Sequence, residues 1–186
     1  IEKWISHFGV ERTLSLCVAN NQKHRVSVRI NPLKIQEDAF ALRMAEENIV
    51  VYPSEKLPGF FEAEDLGDIL VSKACTEGLF SIQDVSSGYI GYMMDPRPGE
   101  VLLDLTAAPG QKAMHLSEIS QDEASILAVD RHPDRIKMLL KNKNNYGFTH
   151  LYPILADGRN PPVKPISKIL VDPPCSNLGA IGHLGE

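Results

Sequence analysis

Cysteine, aromatic residues and long apolar runs are all scarce in this chain of 186 residues. Its three cysteines, Cys17, Cys75 and Cys175, lie far apart, so neither a disulfide framework nor a paired Cys-x-x-Cys zinc site is available. The histidines lack metal-ligand spacing, and no run approaches the roughly 18 to 20 apolar residues of a membrane helix. We therefore expect a cytoplasmic protein with reduced thiols, no metal and no membrane contact.

An excess of positive charge is also absent, because 19 basic and 24 acidic side chains give a net charge of −5. Any surface for nucleic acid must therefore be local. The hydrophobic share of 43% and the charged share of 23% are typical of a globular protein. The length allows one large and one small domain, and we expect a monomer.

Residues 1–80 carry the short, alternating elements of a small α+β domain. The apolar spacing of the first twenty residues predicts two helices that are broken at Gly9. Apolar and polar residues then alternate over 25–30, as in a half-buried strand. This alternation places Arg25 and Arg29 on the exposed face of the strand.

Residues 81–186 differ, because apolar runs of strand length alternate with helical segments. This order predicts an α/β fold with a parallel sheet. The four runs end at or near aspartates, namely Asp104, Asp130, Asp157 and Asp172. Since the carboxyl ends of parallel strands share one edge, where open α/β sheets bind ligands, we expect these carboxylates to surround a ligand crevice.

The strongest local motif is the turn Asp104-Leu-Thr-Ala-Ala-Pro-Gly-Gln-Lys112 between a strand and a helix. Its small side chains let a ligand approach the backbone, and the helix N-terminus offers unpaired N–H groups. The motif is neither Gly-x-Gly-x-x-Gly nor a Walker loop, so no pyrophosphate grip is predicted. A tight strand-to-helix connection without a ligand is the alternative.

Asp130 follows Gly110 by 20 residues, which is the spacing of a carboxylate that binds ribose hydroxyls. It could instead stabilise the N-terminus of the helix that begins at Pro133. Several carboxylates without a phosphate loop suit a positively charged nucleoside such as S-adenosylmethionine. Arg135, in the first turn of that helix, is also placed to reach the crevice.

The fourth strand continues as Asp172-Pro-Pro-Cys-Ser-Asn-Leu-Gly179. Consecutive prolines hold an extended, rigid segment, which would present Cys175 to the crevice. Cysteines elsewhere are more often small buried hydrophobes, and we interpret Cys17 and Cys75 in that way.

These motifs, together with Gln83-Asp84-(x)2-Ser87 and Ala156-Asp-Gly-Arg159, resemble those of the Sun-type (Fmu-like) RNA cytosine-C5 methyltransferases. The resemblance implies that residues 81–186 are the first half, with four strands, of a Rossmann-like S-adenosylmethionine-dependent methyltransferase domain. Residues 1–80 would be the small RNA-binding subdomain. The family's second Cys motif, which supplies the attacking thiolate, and its last three strands would lie beyond Glu186, so we expect a truncated chain.

The resemblance also implies roles for single residues. The methionine part of S-adenosylmethionine would be wrapped by Thr106, Ala107, Ala108, Pro109, Gly110, Gln111 and Lys112. Asp130 would bind the ribose, Asp157 would lie by the adenine, and Asp172 would lie between cofactor and base. In this chemistry a thiolate adds to C6 of cytosine, after which C5 takes the methyl group. Asp172 and Lys112 would assist at the base, and Cys175 would assist product release.

RNA is the partner that the resemblance implies, and ribosomal RNA is the expected substrate. The candidate contacts in the small subdomain are Arg25, Arg29, Asn31 and Lys34. A row of lysines at 137, 141 and 143 is a second candidate, although such a row is usually a solvated helix face.

The chain departs from the family pattern at four positions. The family usually has Cys at Thr106, Gly at Gln111, Thr at Ala113 and Gly at Asn177, and Gln111 would crowd the backbone beside the cofactor. Two alternatives to a cytosine methyltransferase therefore stay open. The chain could be a non-catalytic RNA- or cofactor-binding module, or an amino-group nucleic-acid methyltransferase. Cys175 acting as the nucleophile itself is a further hypothesis.

Overall fold

The computed structural model describes residues 1–21 and 25–173. Cys175 and Asn177, and the predicted rigid segment from residue 174 onward, lie outside the described residues. In chain order the helices are α1 (Glu2–Asn20), α2 (Glu37–Glu46), α3 (Leu66–Val71), α4 (Lys73–Thr76), α5 (Val85–Met94), α6 (Gln111–Ile119) and α7 (Pro133–Tyr146). The strands are β1 (Val26–Ile30), β2 (Val51–Pro53), β3 (Phe60–Ala63), β4 (Phe80–Ile82), β5 (Val101–Asp104), β6 (Ser125–Asp130), β7 (Leu151–Leu155) and β8 (Lys168–Leu170).

Helix α1 belongs to a unit that is separate from residues 26–173. Its helical geometry is interrupted at Gly9, where φ is 77° and ψ is 169°. Residues with a side chain rarely adopt a positive φ, so glycine suits this break. The prediction of two helical segments broken at Gly9 is confirmed.

The first sheet of the larger unit is antiparallel, with strand order β2-β3-β1-β4. Its last strand in the chain, β4, ends at Ile82, and β1 lies between β3 and β4. The sheet and the helices packed on it bury one apolar core, which consists of Val28, Ile30, Phe40, Met44, Phe61, Ala63, Ile69, Ala74 and Phe80.

The second sheet is parallel, with strand order β7-β6-β5-β8, as the alternating apolar runs predicted. Helices α6 and α7 contribute to its core, which includes Met114, Leu116 and Leu139. Helix α6 begins directly after Gly110, and α7 runs from Pro133 to a left-handed cap at Gly147, where φ is 85°. Proline suits the start of a helix because it lacks the N–H that would be unpaired there, and glycine suits the end because it adopts a positive φ without strain. Both predicted boundaries of α7 are confirmed.

The exposure expected for β1 is wrong at Arg29. The residue is 2% exposed, and its side chain forms a buried ion pair with Glu118 of α6. Asn31, just beyond the strand, is 0% exposed and donates to the carbonyl oxygens of Gly78 and Tyr146 over 3.3 and 2.8 Å. Because neither side chain reaches solvent, the expected RNA contacts of Arg29 and Asn31 are wrong.

The other two candidate RNA contacts are exposed. The Lys34 ammonium donates to the carbonyl oxygens of Glu77 and Asn145, over 2.6 Å each, so it caps the ends of α4 and α7. Arg25 lies at the boundary between the two units. RNA contact by Arg25 and Lys34 stays a prediction.

Helix α5, which the apolar pattern did not predict, packs closely against α6. A Cβ atom at Gly91 would lie 2.3 Å from Nδ1 of the buried His115, and one at Gly88 would lie 2.4 Å from Cζ of Phe60. Both distances are shorter than any allowed contact, so only glycine fits between these side chains at this helix spacing.

We expect Gly91→Ala to lower the free energy of unfolding by about 1–3 kcal/mol, because overpacking forces neighbouring groups apart. Met93→Ala on the same helix is the control, since Met93 is 83% exposed. Urea denaturation followed by far-UV circular dichroism measures both effects. An unchanged midpoint for Gly91→Ala would show that α5 packs less closely than described.

Two kinds of feature are absent from the described residues. None of their helices combines the length and apolarity needed to cross a membrane. Within residues 1–21 and 25–173, no three His, Cys, Asp or Glu side chains are grouped as metal ligands.

Candidate cofactor site

The turn after β5 is fixed to the neighbouring strands at the carboxyl edge of the second sheet. The backbone N–H of Thr106 donates to Oδ1 of Asp104 over 3.1 Å, and that of Ala107 donates to the carbonyl oxygen of Val129 over 2.9 Å. The N–H of Leu105 donates to Leu170 on the other side, over 3.0 Å. The small-residue turn therefore starts from a position that three parallel strands determine.

Helix α7 holds the far side of the same turn. Arg135 donates to the carbonyl oxygen of Ala108, and Nδ2 of Asn142 donates to that of Pro109 over 3.0 Å. Gly110 then adopts a φ of 114°, and a Cβ atom there would lie 2.4 Å from Cδ1 of Leu139. Both the backbone conformation and the close helix explain why glycine stands at this position.

Asp130, at the end of β6, is 4% exposed and has a partner on each carboxylate oxygen. Oδ1 accepts the backbone N–H of His132 over 2.9 Å, and Oδ2 lies 3.3 Å from Nη1 of Arg135. The structure thus brings the two predicted cofactor residues together. Arg135 connects the carboxylate at the end of β6 with the turn after β5.

Asp157 and Gly158 lie just beyond the end of β7, the third parallel strand along the chain. Arg159 binds the Asp157 carboxylate through its side chain, over 2.5 Å from Nη2, and through its backbone N–H, over 3.0 Å. These hydrogen bonds hold the pKa of Asp157 well below its usual range. A Cβ atom at Gly158 would lie 2.5 Å from the carbonyl oxygen of Leu105, so glycine allows this loop to rest on the end of β5.

Asp172, beyond β8, is joined to the turn by two contacts. Its backbone N–H donates to Oγ1 of Thr106 over 2.8 Å, and its carboxylate lies 2.6 Å from Nζ of Lys112. The structure thus places Lys112 and Asp172, both predicted to assist at the base, in direct contact. The hydroxyl of Thr106, at a position where the resembling family has Cys, thereby connects two strand ends.

Asp104 is the buried member of the carboxylate group, with 1% exposure. Burial, together with the nearby Asp172 and Asp130 carboxylates, raises the pKa of Asp104 to about 7, although the N–H of Thr106 and the Lys112 ammonium oppose the rise. The sequence placed Asp104 at a strand end but gave it no role. Asn142 was also missed, because a polar residue on a helix face has no signature of its own.

Gln111 lies in the first turn of α6, and both its backbone carbonyl and its side-chain oxygen point into the protein interior. Its carbonyl oxygen accepts from Nη1 of Arg29 over 3.3 Å, and its side-chain Oε1 is buried without a hydrogen-bond partner among the described residues. The crowding expected from Gln111 beside the cofactor stays a prediction.

Family comparisons agree with this arrangement. Residues 91–184, half of the chain, match the family described as 16S rRNA methyltransferase RsmB/F. Residues 1–61 match the ferredoxin-like domain described for RsmF/B-like methyltransferases.

Single relatives and solved structures are also similar. A probable ribosomal RNA small subunit methyltransferase B from Synechocystis is 33% identical over 179 residues, which are 94% of this chain and 40% of that protein. The crystal structure of PH0851 has a TM-score of 0.88 at 28% identity and covers 97% of this chain and 42% of that one. A methyltransferase homologue from Pyrococcus horikoshii has a TM-score of 0.79 at 26% identity, covering 94% and 58%.

The chain spans about 40% of the length of the curated relatives that it matches. The matched region includes the small-residue turn and the ends of the four parallel strands. We conclude that the chain belongs to the RsmB/F family of 16S rRNA methyltransferases.

Proposed function

We propose that this chain carries the cofactor half of an S-adenosylmethionine-dependent ribosomal RNA methyltransferase. The observation that carries the proposal is that three strand-end carboxylates border one small-residue turn in a chain of this family, Asp104 and Asp172 by direct contact and Asp130 through Arg135. The matched family of 16S rRNA methyltransferases and the Synechocystis relative, a probable ribosomal RNA small subunit methyltransferase B, support the same reaction class.

The chemistry of the donor set fits this cofactor. Burial raises the pKa of the Asp104 carboxyl to about 7, so part of it is protonated near neutral pH. A cation nearby would favour its ionised form. S-adenosylmethionine bears a sulfonium and an ammonium group, and when bound it supplies the methyl group. Asp130 would accept from the ribose hydroxyls, Asp157 would lie by the adenine, and the turn from Thr106 to Lys112 would surround the methionine part.

The finer proposal is transfer to C5 of cytosine. Lys112 and Asp172, 2.6 Å apart, offer a cationic donor and a carboxylate that could bind the polar edge of a base. The attack on C6 needs a thiolate, and the resemblance assigns this role to the family's second Cys motif. Cys175, outside the described residues, keeps its proposed role in product release.

Contact with the RNA substrate is proposed for Arg25 and Lys34, which are exposed. Lys137 and Lys141 on α7 are exposed as well and form the second candidate surface. Charged side chains of this kind position a phosphate backbone without selecting its sequence.

Calorimetric titration with S-adenosylmethionine tests the cofactor proposal. We expect micromolar binding to the chain, and about 100-fold weaker binding by Asp130→Asn, because a carboxylate that accepts two ribose hydroxyls forms charge-assisted hydrogen bonds worth a few kcal/mol. Asp134→Asn is the matched control, since this exposed residue lies in the first turn of α7 and pairs with Lys137 instead.

Absence of binding by the folded chain would contradict the proposal. Equal loss in both variants would show that general charge, and not the ribose contact, determines affinity. Cofactor binding without RNA methylation, measured after the chain is extended to the length of its relatives, would favour the non-catalytic module.

A further inference from the structure

Arg29 and Glu118 form an ion pair inside the protein that no step of the proposed function uses. Their side chains are 2% and 3% exposed. Arg29 donates from Nε and Nη2 to the two carboxylate oxygens, the second bond measuring 3.0 Å, so the contact is bidentate. Its remaining nitrogen, Nη1, donates to Oε1 of Gln83 and to the carbonyl oxygen of Gln111 over 3.3 Å.

These contacts join β1 to both ends of one helix. Gln111 is the first residue of α6, and Glu118 lies in its last turn. Gln111 also directly follows Gly110, the last residue of the turn that is proposed to hold the cofactor. A single guanidinium from the first sheet therefore contacts the helix that begins at the cofactor turn, at its start and near its end.

Stability alone does not explain this arrangement. Moving two charges out of water costs free energy that their attraction does not fully return. Buried ion pairs can therefore often be replaced by well-packed apolar side chains of the same size without loss of stability. Three further buried polar atoms nearby, Nε2 of Gln83, Oε1 of Gln111 and Nδ1 of His115, have no hydrogen-bond partner among the described residues. A polar interior of this kind is costly, but its directional bonds define one position for the helix.

We infer that Arg29 is a positioning residue that sets where the turn 106–112 lies. The inference rests on the proposed function, because the turn matters through the cofactor that it would hold. The planar guanidinium contacts Glu118 and Gln111 at once, which a lysine ammonium cannot do in the same geometry. Because Arg29 contacts α6 at Gln111 and Glu118, loss of these contacts would allow the helix to move, and with it the backbone that faces the ligand.

The first test uses two variants of the whole chain. Arg29→Lys keeps the charge beside Glu118 but loses the fork, and Arg29→Met/Glu118→Leu replaces the pair by apolar side chains. We expect amide hydrogens of residues 106–112 to exchange about 10-fold faster in both, since residues that couple sites change such equilibria by factors of about 2 to 30. Arg43→Met is the control, because Arg43 pairs with Glu47 and Glu77 away from α6.

The second test is affinity for S-adenosylmethionine in the same variants. The dissociation constant should rise about 10-fold in Arg29→Met/Glu118→Leu even where the melting temperature equals that of the unmutated chain. A merely structural role predicts that affinity returns together with stability. That result, or unchanged exchange at residues 106–112 in the folded variants, would overturn the inference.

A third measurement needs no variant to fold. In the unmutated chain the Nε–H resonance of Arg29 should shift when S-adenosylmethionine saturates the site, and an unshifted resonance at saturation would overturn the inference. Failure of the unmutated chain to bind the cofactor would instead overturn the proposed function. The exchange comparison would then still decide whether Arg29 positions the turn.

Discussion

Replacing Glu118 by glutamine should lower the free energy of unfolding by about 3–5 kcal/mol, because the variant leaves the Arg29 charge buried without a counter-charge. Glutamine has almost the same shape as glutamate, so loss of packing contributes little. The bidentate contact would become a single hydrogen bond to an uncharged oxygen. Urea denaturation at pH 8, followed by far-UV circular dichroism, gives the difference.

The control for this prediction is an exposed ion pair. Arg97 and Asp95 are paired over 2.5 Å, with side chains that are 66% and 54% exposed. Asp95→Asn should change the free energy of unfolding by less than about 1 kcal/mol, since water screens such pairs. A loss of under 1 kcal/mol for Glu118→Gln as well would mean that the Arg29 charge is not enclosed as the structure describes.

Much of the parallel sheet and its helices could be predicted from the sequence because the signals are local. The apolar runs predicted the parallel strands β5 to β8, and Pro133 and Gly147 predicted the start and end of α7. The strand-end aspartates followed from the same pattern, since the strands are parallel and end at one edge. The contact between Lys112 and Asp172, 60 residues apart, was not predicted, but it lies at the edge that this pattern identified.

The environment of Arg29 could not be predicted in this way. Alternation along a strand assigns side chains to two faces, but it does not say whether another element covers the second face. Here α6 does so, and the partner Glu118 is 89 residues away in sequence. A pairing over that distance depends on how the two sheets are arranged, which no local pattern contains.

The candidate site shows the same division. The turn after β5 was found from its small residues, whereas its fixation by Arg135 and Asn142 depends on the packing of α7. The buried state of Asp104 also arises from tertiary structure, because a strand-end aspartate can equally lie in solvent. These contacts determine the shape and charge of the crevice.

We expect Asp104→Asn to raise the free energy of unfolding of the ligand-free chain relative to the unmutated chain. This gain should be about 4 kcal/mol larger at pH 8 than at pH 4. Burial raises the pKa of Asp104 from 3.8 to about 7, so near pH 5 the folded state keeps a proton that the unfolded state has released. Stability is therefore lost as pH rises from about 4 to about 7 and is constant above that range. Asparagine keeps the acceptor for the N–H of Thr106 but has no charge, so the variant is free of this loss.

The measurement is the difference in unfolding free energy between variant and unmutated chain at several pH values, in which the titration of groups that do not interact with Asp104 cancels. The difference should increase by about 1.4 kcal/mol for each unit by which the pKa is raised, and it should level off above pH 7. Asp134→Asn serves as the control, because Lys137 lowers the pKa of the exposed Asp134 and no increase over this range is expected. A flat difference for Asp104→Asn would mean that Asp104 ionises normally in the folded chain. The carboxylate would then be charged before any cationic ligand arrives, and cofactor binding would release no proton from it.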